Sequence, residues 1–513
     1  MNGAKSLVQT LLSSHVDVCF ANPGTSEMHF VAALDQSPGM RCVLGLHENV
    51  VTGMADGYFR VAGRPACTLL HCGPGLANGL ANLHNARRAG SGIVNIVGDQ
   101  ATYHRPLDAP LTADTDGLAR TVSAWVRTSS RAAAVGRDAA EAVQAARTAP
   151  GQIATLILPS DVSWDEGGIA ADALPVPDPP PIDPKAVHGA ARVLRAGGNV
   201  LMLLAGRALL GRSQALAWRI ASATGAALKA DYMAARVERG RGRLQLERVP
   251  YNTDQAVAAL ARVQDIILVG ARPPVGFFAY PGKPSKQYAE GTRLHVLARP
   301  EHDAEAALQA LATELGAPEV AIPDPGPRPS AASGAPTPEA LARTLAALMP
   351  EAAIVSDESV SYGRGFYPQT HAAPPHEWLH LVGGAIGAGL PMATGAAIGS
   401  GGSRRVISLQ ADGSAMYTLQ ALWTQARERL PVTTILLDNR KYAILIAEYA
   451  GVGAAPGATA MSMLDLADPA LDWVGLAGAM GVEAARATTM ERCADLMSSS
   501  FARSGPFLID LMV

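Results

Sequence analysis

Residues 404–423 read RRVISLQADGSAMYTLQALW. The apolar run from Val406 to Leu409 predicts a buried strand. Asp412-Gly413-Ser414 breaks it, and a helical spacing of apolar residues follows through TLQALWTQARERL. Glycine permits a tight turn, and a carboxylate at a helix start caps free backbone N–H groups. The same carboxylate at the end of a strand is also placed to hold a cation. Pro431 then opens VTTILLDN, which ends at Asn439, 27 residues after Asp412. That spacing is one strand–helix–strand unit. Its right-handed crossover sets both strand ends on one edge of a parallel sheet.

The same alternation runs through the whole chain. VDVCFAN, CVLGLHE, ACTLLHCG, GIVNIVGD and IATLILP read as strands in the first part. NVLMLLAG, AALKAD, DIILVGA and RLHVLAR follow in the second, and AIVSDES, RVISLQAD, VTTILLDN and FLIDLMV in the third. Helical patterns separate them, which argues for parallel sheets with crossover helices. Two proline-rich stretches, 173–184 (ALPVPDPPPIDP) and 322–338 (IPDPGPRPSAASGAPTP), read as extended linkers. The expected fold is α/β, with three doubly wound parallel-sheet domains in series over residues 1–170, 185–321 and 338–513.

Composition narrows the function classes. The 513 residues are 48% hydrophobic and 17% charged, as in a soluble globular chain too long for one core. A net charge of −3 offers no basic field to nucleic acid. No apolar run reaches the ~18 residues of a membrane span, and the N-terminus reads as an amphipathic helix. Five cysteines without a paired CxxC spacing fit reduced thiols and a cytoplasmic location.

In doubly wound sheets, ligands bind beyond the carboxyl ends of strands. Asn22-Pro23-Gly24-Thr25, Glu48, His71, Asp99, Asp357, Asp412 and Asn439 all occupy such positions. Asp412 and Asn439 offer hard oxygens, which suit Mg²⁺ shared with a diphosphate. Gly413 leaves room for phosphate, and Ser414 offers a hydroxyl. Glu48 opens the helical run NVVTGMADGYFRV, where it also complements the helix dipole. His47-Glu48 does not begin an HExxH zinc motif, because position 51 is Val. GPGLANG lacks the spacing of a dinucleotide loop, which argues against a dehydrogenase.

Asp412-Gly413 and Asn439 resemble the diphosphate-and-magnesium motif of thiamine diphosphate-dependent enzymes, Gly-Asp-Gly followed by Asn-Asn. Ala411 stands at the first Gly and Asp438 at the first Asn. Glu48 with Gly53-Met54-Ala55-Asp56-Gly57-Tyr58 resembles the family's activating-glutamate segment. NPGTSE (22–27), LLHCGPGLANGLANL (69–83), DESVS (357–361) and GGAIGAGLPMATGAAIG (383–399) are similar to segments of its benzoylformate decarboxylase and acetolactate synthase group.

The resemblance implies thiamine diphosphate and Mg²⁺ as cofactors. The Mg²⁺ ligands would be Asp412, Asn439 and the backbone carbonyl of Lys441. Glu48 would activate the aminopyrimidine, and Ile386 would prop the cofactor in its bent shape. Gly24 and Asn78 would lie at the pyrimidine or substrate end, Ser359 and Ser361 near the diphosphate, and Tyr442 and Leu445 near the substrate. His71 is the implied acid/base, with the alternative of a buried, hydrogen-bonded histidine. Relatives add a second histidine from the middle domain; Phe277 or Phe278 takes that place here, and His104 is a substitute proton carrier. The implied reaction is decarboxylation or carboligation of a 2-oxo acid, giving an aldehyde or acyloin through an enamine. An acetolactate synthase-type catalytic subunit and a non-catalytic thiamine diphosphate-binding protein are the alternatives. LAGRALLGR is a poor nucleotide loop, so FAD is not expected. The family's site forms between subunits, which implies a homodimer or homotetramer.

Overall fold

A computed structural model describes residues 1–513. The first sheet holds β1 (Val18–Ala21), β2 (Arg41–Leu44), β3 (Ala66–Leu70), β4 (Ile93–Asp99), β5 (Trp125–Thr128) and β6 (Ile153–Pro159). All are parallel, in the order β2-β1-β3-β4-β6-β5. Alternate residues of each strand enter different cores, as a doubly wound sheet requires. Phe20, Leu70, Val97 and Ile157 face one layer of helices, and Cys19, Leu69, Ile96 and Leu156 face the other.

The middle segment contributes β7 (Val200–Leu204), β8 (Ala227–Ala230), β9 (Arg236–Arg239), β10 (Asp265–Val269) and β11 (Arg293–Ala298). Four of these form a parallel sheet, β11-β10-β7-β8. The fifth, β9, leaves it and joins the third sheet. That sheet is completed by β12 (Ile354–Glu358), β13 (His376–His380), β14 (Val406–Ala411), β15 (Val432–Asp438), β16 (Glu483–Ala487) and β17 (Phe507–Met512), in the order β16-β17-β15-β14-β12-β13-β9. Only β9 runs antiparallel, against β13.

The chain is therefore three parallel-sheet α/β domains, with one strand exchanged between the second and third. The sequence reading missed β5, β9, β13 and β16. Three of them are sheet edges and the fourth, β13, is next to one. RVER, HEWLH and EAARA carry charges where a central strand would be apolar. No helix or strand forms over 167–183 or 317–337. The last proline of each linker nevertheless starts a helix: Pro184 and Pro338 take the first helical position, behind the caps Asp183 and Thr337.

Two features lock the domains together. The first is a glycine-lined crossing of the Glu48–Ala62 helix with the Gly389–Gly399 helix. A Cβ on Gly57 would overlap the Met392 carbonyl, one on Gly395 the Met54 carbonyl, and one on Gly53 would lie 2.6 Å from Pro391 Cβ. The second is a buried cationic cluster around β9. The Arg239 guanidinium lies 3.5 Å from the Tyr367 ring centroid and 4.9 Å from that of Trp378. It donates to Thr370 Oγ1 and the Tyr367 carbonyl, and burial lowers its pKa to about 10. Arg60, paired with Asp56, donates to the carbonyls of Ala235 and His380. The end of the Glu48–Ala62 helix is thereby tied to the β9–β13 edge of the third sheet.

The histidines of this cluster stay neutral. Burial, then the charge of Arg239, pushes His371 and His376 down to about 3; burial, with Arg248, Arg239 and Arg60, holds His380 well below its usual range. An unfolded chain protonates them near pH ~6.5, so stability is intact above that value and falls as pH drops toward about 3. Each histidine shifts the balance roughly tenfold per pH unit in that window. The melting temperature should decline below pH ~6.5, and His371→Gln should flatten the decline. For the helix crossing, Gly57→Ala should cost stability at the upper end of the roughly 1–3 kcal/mol typical of overpacking, read as a lower melting temperature.

Candidate active site

The predicted residues fall into two groups. The first lies at the carboxyl edge of the first sheet. Glu48 is the first residue of its helix, buried, and its Oε2 accepts from Asn78 Nδ2 at 3.1 Å. A Cβ on Gly75 would sit 3.2 Å from Glu48 Oε1, so the glycine leaves space beside that oxygen. His71 caps β3 and precedes the Cys72–Ala89 helix. Its Nδ1 lies 3.0 and 3.1 Å from the two carboxylate oxygens of Glu27. That carboxylate is buried and accepts from Gly24 N at 2.8 Å and from the Ser26 hydroxyl. An acceptor at Nδ1 fixes the proton there and leaves Nε2, which has no partner in the chain, as the basic nitrogen. Gly24 is needed for contact: a Cβ would overlap the His71 ring.

The second group surrounds a small cavity of about 40 Å³ at the edge of the third sheet. Ser359, Ser361, Ile386, Asp412, Gly413, Ser414, Asn439, Lys441 and Tyr442 all line it. Asp412 is buried; its oxygens accept from Gly413 N at 2.7 Å and Arg440 N at 2.6 Å. Burial raises its pKa to about 6, and the neighbouring Asp438 adds to the rise. Asp438 is buried as well, and burial, then the charge of Asp510, raises its pKa. A buried carboxylate pair beside a carboxamide is a set of hard oxygens that a divalent cation would relieve. Arg440, between Asn439 and Lys441, adopts φ 56°, a conformation that turns the loop here.

Some local expectations change. The helix after Asp412 is a single turn, Asp412–Ala415, and the longer helical pattern resumes only at Ala421–Arg427. Ser359 Oγ donates to Asp357 at 2.5 Å, and Ser414 Oγ is held by Gln410 and the Ala411 carbonyl. The space beside Gly413 is filled by the Tyr442 ring, 2.5 Å from a Cβ position. The Lys441 carbonyl accepts from Ala443 N at 2.9 Å and keeps a second lone pair. Ile386 lines the cavity half-exposed rather than joining the core. Phe277 lies against Gly384, two residues from Ile386, while Phe278 is exposed. The His104 ring makes no hydrogen bond within the chain and does not join the His71 cluster.

Sequence reasoning missed the groups that hold the two halves. Glu358 is fully buried and accepts from the N–H groups of Gly387, Ala388 and Gly389 at 2.7–3.3 Å and from Gln410 at 3.0 Å. Asn82 and Asn85, one and two turns beyond Asn78, hold the carbonyls of Gly387 and Ala385. Asparagines at i, i+4 and i+7 of one predicted helix were the available signal.

The thiamine pyrophosphate enzyme N-terminal TPP-binding domain matches residues 1–119, and the C-terminal TPP-binding domain matches residues 364–511. This chain belongs to the thiamine pyrophosphate enzyme family. It is 50% identical to a Mycobacterium tuberculosis protein named "Putative acetolactate synthase large subunit IlvX", over 100% of this chain and 99% of that one. It is 29% identical to benzoylformate decarboxylase of Pseudomonas aeruginosa, over 96% and 95%. A solved thiamine diphosphate-dependent 4-hydroxybenzoylformate decarboxylase of Rhodococcus jostii RHA1 superposes with a TM-score of 0.84 at 25% identity, covering 100% and 99%. The chain is thus a thiamine pyrophosphate-dependent enzyme of the decarboxylase and acetolactate synthase family. The two matched segments carry the two groups of site residues, except Ser359 and Ser361, which precede the second.

Proposed function

We propose that this thiamine pyrophosphate enzyme decarboxylates a 2-oxo acid and either releases the remaining acyl fragment as an aldehyde or transfers it to a second carbonyl to give an acyloin. The carrying observation is the Glu27–His71 pair: an imidazole fixed through Nδ1, with a basic Nε2 and a side chain 22% exposed at a strand end. Thiamine diphosphate supplies, when bound, a nucleophilic carbon and an electron sink for loss of CO₂. Glu48 would hold a proton at the pyrimidine ring through Oε1, with Oε2 steadied by Asn78. His71 Nε2 would give and take the proton at the substrate carbonyl oxygen, and Glu27 would stabilise the imidazolium. Asp412, Asn439 and the Lys441 carbonyl would hold Mg²⁺, and the cavity beside them the diphosphate. Phe277 and Phe278 favour an apolar substrate tail.

The active unit is a dimer with sites between subunits. The cavity of the third domain is lined by no first-domain residue, so one chain leaves Glu48 outside it. The apolar Ala443–Val452 helix, which starts at that cavity, has no buried residue; a second copy would cover it. A second reading, ligation of two 2-oxo acids, is favoured by the name of the mycobacterial relative. Free cysteines support a cytoplasmic location, and no helix is long and apolar enough to cross a membrane.

CO₂ release from a panel of 2-oxo acids, with thiamine diphosphate and Mg²⁺, tests the reaction. Glu48→Gln should lower the rate roughly 100-fold or more; cofactor binding without CO₂ release from any acid would overturn the reading. Product analysis separates aldehyde from acetohydroxy acid. Mixing inactive Glu48→Gln and Asp412→Ala chains tests the shared site: one intact site per mixed dimer should restore about a quarter of the activity, whereas sites within single chains would restore none.

A further inference from the structure

We infer that Glu27, His71 and Cys72 form a binding site for a transition-metal cation of the Zn²⁺ class, and that the cation locks His71. The three donor atoms, a carboxylate oxygen, Nδ1 and Sγ, lie within 4.8 Å of one another. Zn²⁺ accepts that mixture of oxygen, nitrogen and sulfur, at about 2.0–2.3 Å, and is commonly held by three protein ligands with a fourth position open.

The site is built rather than incidental. Cys72 has φ 53°, an uncommon conformation for a residue other than glycine, and is buried. Its Sγ lies 3.2 Å from Ser26 Oγ. The same hydroxyl is 3.2 Å from His71 Nδ1 and bonds Glu27. One small hydroxyl therefore bridges all three donors and marks the point on which they converge. Rotating it aside leaves the three groups facing a common centre. The His71 ring cannot withdraw toward Gly24, where it already touches backbone. Glu27 is held by Gly24 N–H, and Gly98 leaves room for its carboxylate, which a Cβ there would overlap.

The proton count is definite. The sulfur that binds a metal is a thiolate, so the proton on Cys72 Sγ must leave. Binding forms a metal–sulfur bond and releases that proton. The Nδ1 proton of His71 also leaves, and Nε2 gains one as the tautomer changes. The net release is one proton per cation, so affinity rises with pH. Nε2 then carries a hydrogen and no longer accepts one. The consequence for catalysis rests on the acid/base role proposed for His71; the binding does not. Mg²⁺ does not compete, since a hard cation prefers an all-oxygen set.

The test uses Co²⁺ as a spectroscopic substitute on the holoenzyme with excess Mg²⁺, in a Cys42→Ser background that removes the exposed thiol. A sulfur-to-cobalt charge-transfer band should saturate at one ion per chain, vanish in Cys72→Ser and be displaced by Zn²⁺. Glu27→Gln should weaken the affinity by at least the roughly 10-fold that even an outer ligand partner contributes. Circular dichroism confirms that each variant is folded. No saturable band, or a band retained in folded Cys72→Ser, overturns the site. The band needs no turnover, so it appears even if the enzyme releases no CO₂. Where CO₂ is released, Zn²⁺ should inhibit the Cys42→Ser enzyme reversibly and spare Cys72→Ser; occupied sites without inhibition overturn the locking of His71.

Discussion

The crossing of the Glu48–Ala62 and Gly389–Gly399 helices fixes most of what surrounds it. Each helix presents glycine where the other presents backbone: Gly57 under Met392, Gly395 under Met54. Backbones that approach this closely exclude side chains and tolerate little sliding. The first helix begins with Glu48, and the second is preceded by Ile386 and Gly387. One packing contact therefore sets Glu48 and the loop that lines the cavity on a common frame within the chain. Methyl groups at these positions would force the first and third domains apart.

Buried charge supplies the second constraint, and it acts across domains. Arg60 reaches from the first domain to the Ala235 carbonyl, just before β9, and to the His380 carbonyl of β13. Arg239 carries its charge from the middle segment into an aromatic pocket of the third sheet. Glu358 gathers three backbone N–H groups at the start of the Gly389–Gly399 helix. An unpaired buried charge is costly, so each of these ties is directional where apolar packing is not. Together they orient the three cores, which fuse in pairs: one face of the third sheet packs with the middle domain and the other with the first.

The site follows the same division. The first sheet carries Glu48, held by Asn78, and the Glu27–His71 pair at its carboxyl edge. The third carries the buried carboxylates Asp412 and Asp438 and the carboxamide of Asn439 at the edge of its cavity. Asp438 is a second buried carboxylate near Asp412 and adds to the rise of its pKa. Cys72 similarly adds a soft donor beside an imidazole and a carboxylate.

Period and spacing determined a great deal by themselves. The apolar runs located thirteen of the strands, because central parallel strands are buried on both faces and read as continuous hydrophobic stretches. The 27 residues between Asp412 and Asn439 were enough to bring both to one cavity, because a right-handed crossover has little freedom. Edge strands were not legible, since β9 and β16 owe their pairing to neighbours and not to their own apolar content. Nor were the partners of the site: Glu358 and Asn82 act on residues 29 and 305 positions away. The convergence of Ser26, Glu27, His71 and Cys72 arises only when β3 lies beside β1 and brings two loops 45 residues apart into contact. Local sequence set what each segment could become; only tertiary packing decided which polar groups would meet, because hydrogen bonds and charge pairs depend on distances the chain acquires when it folds.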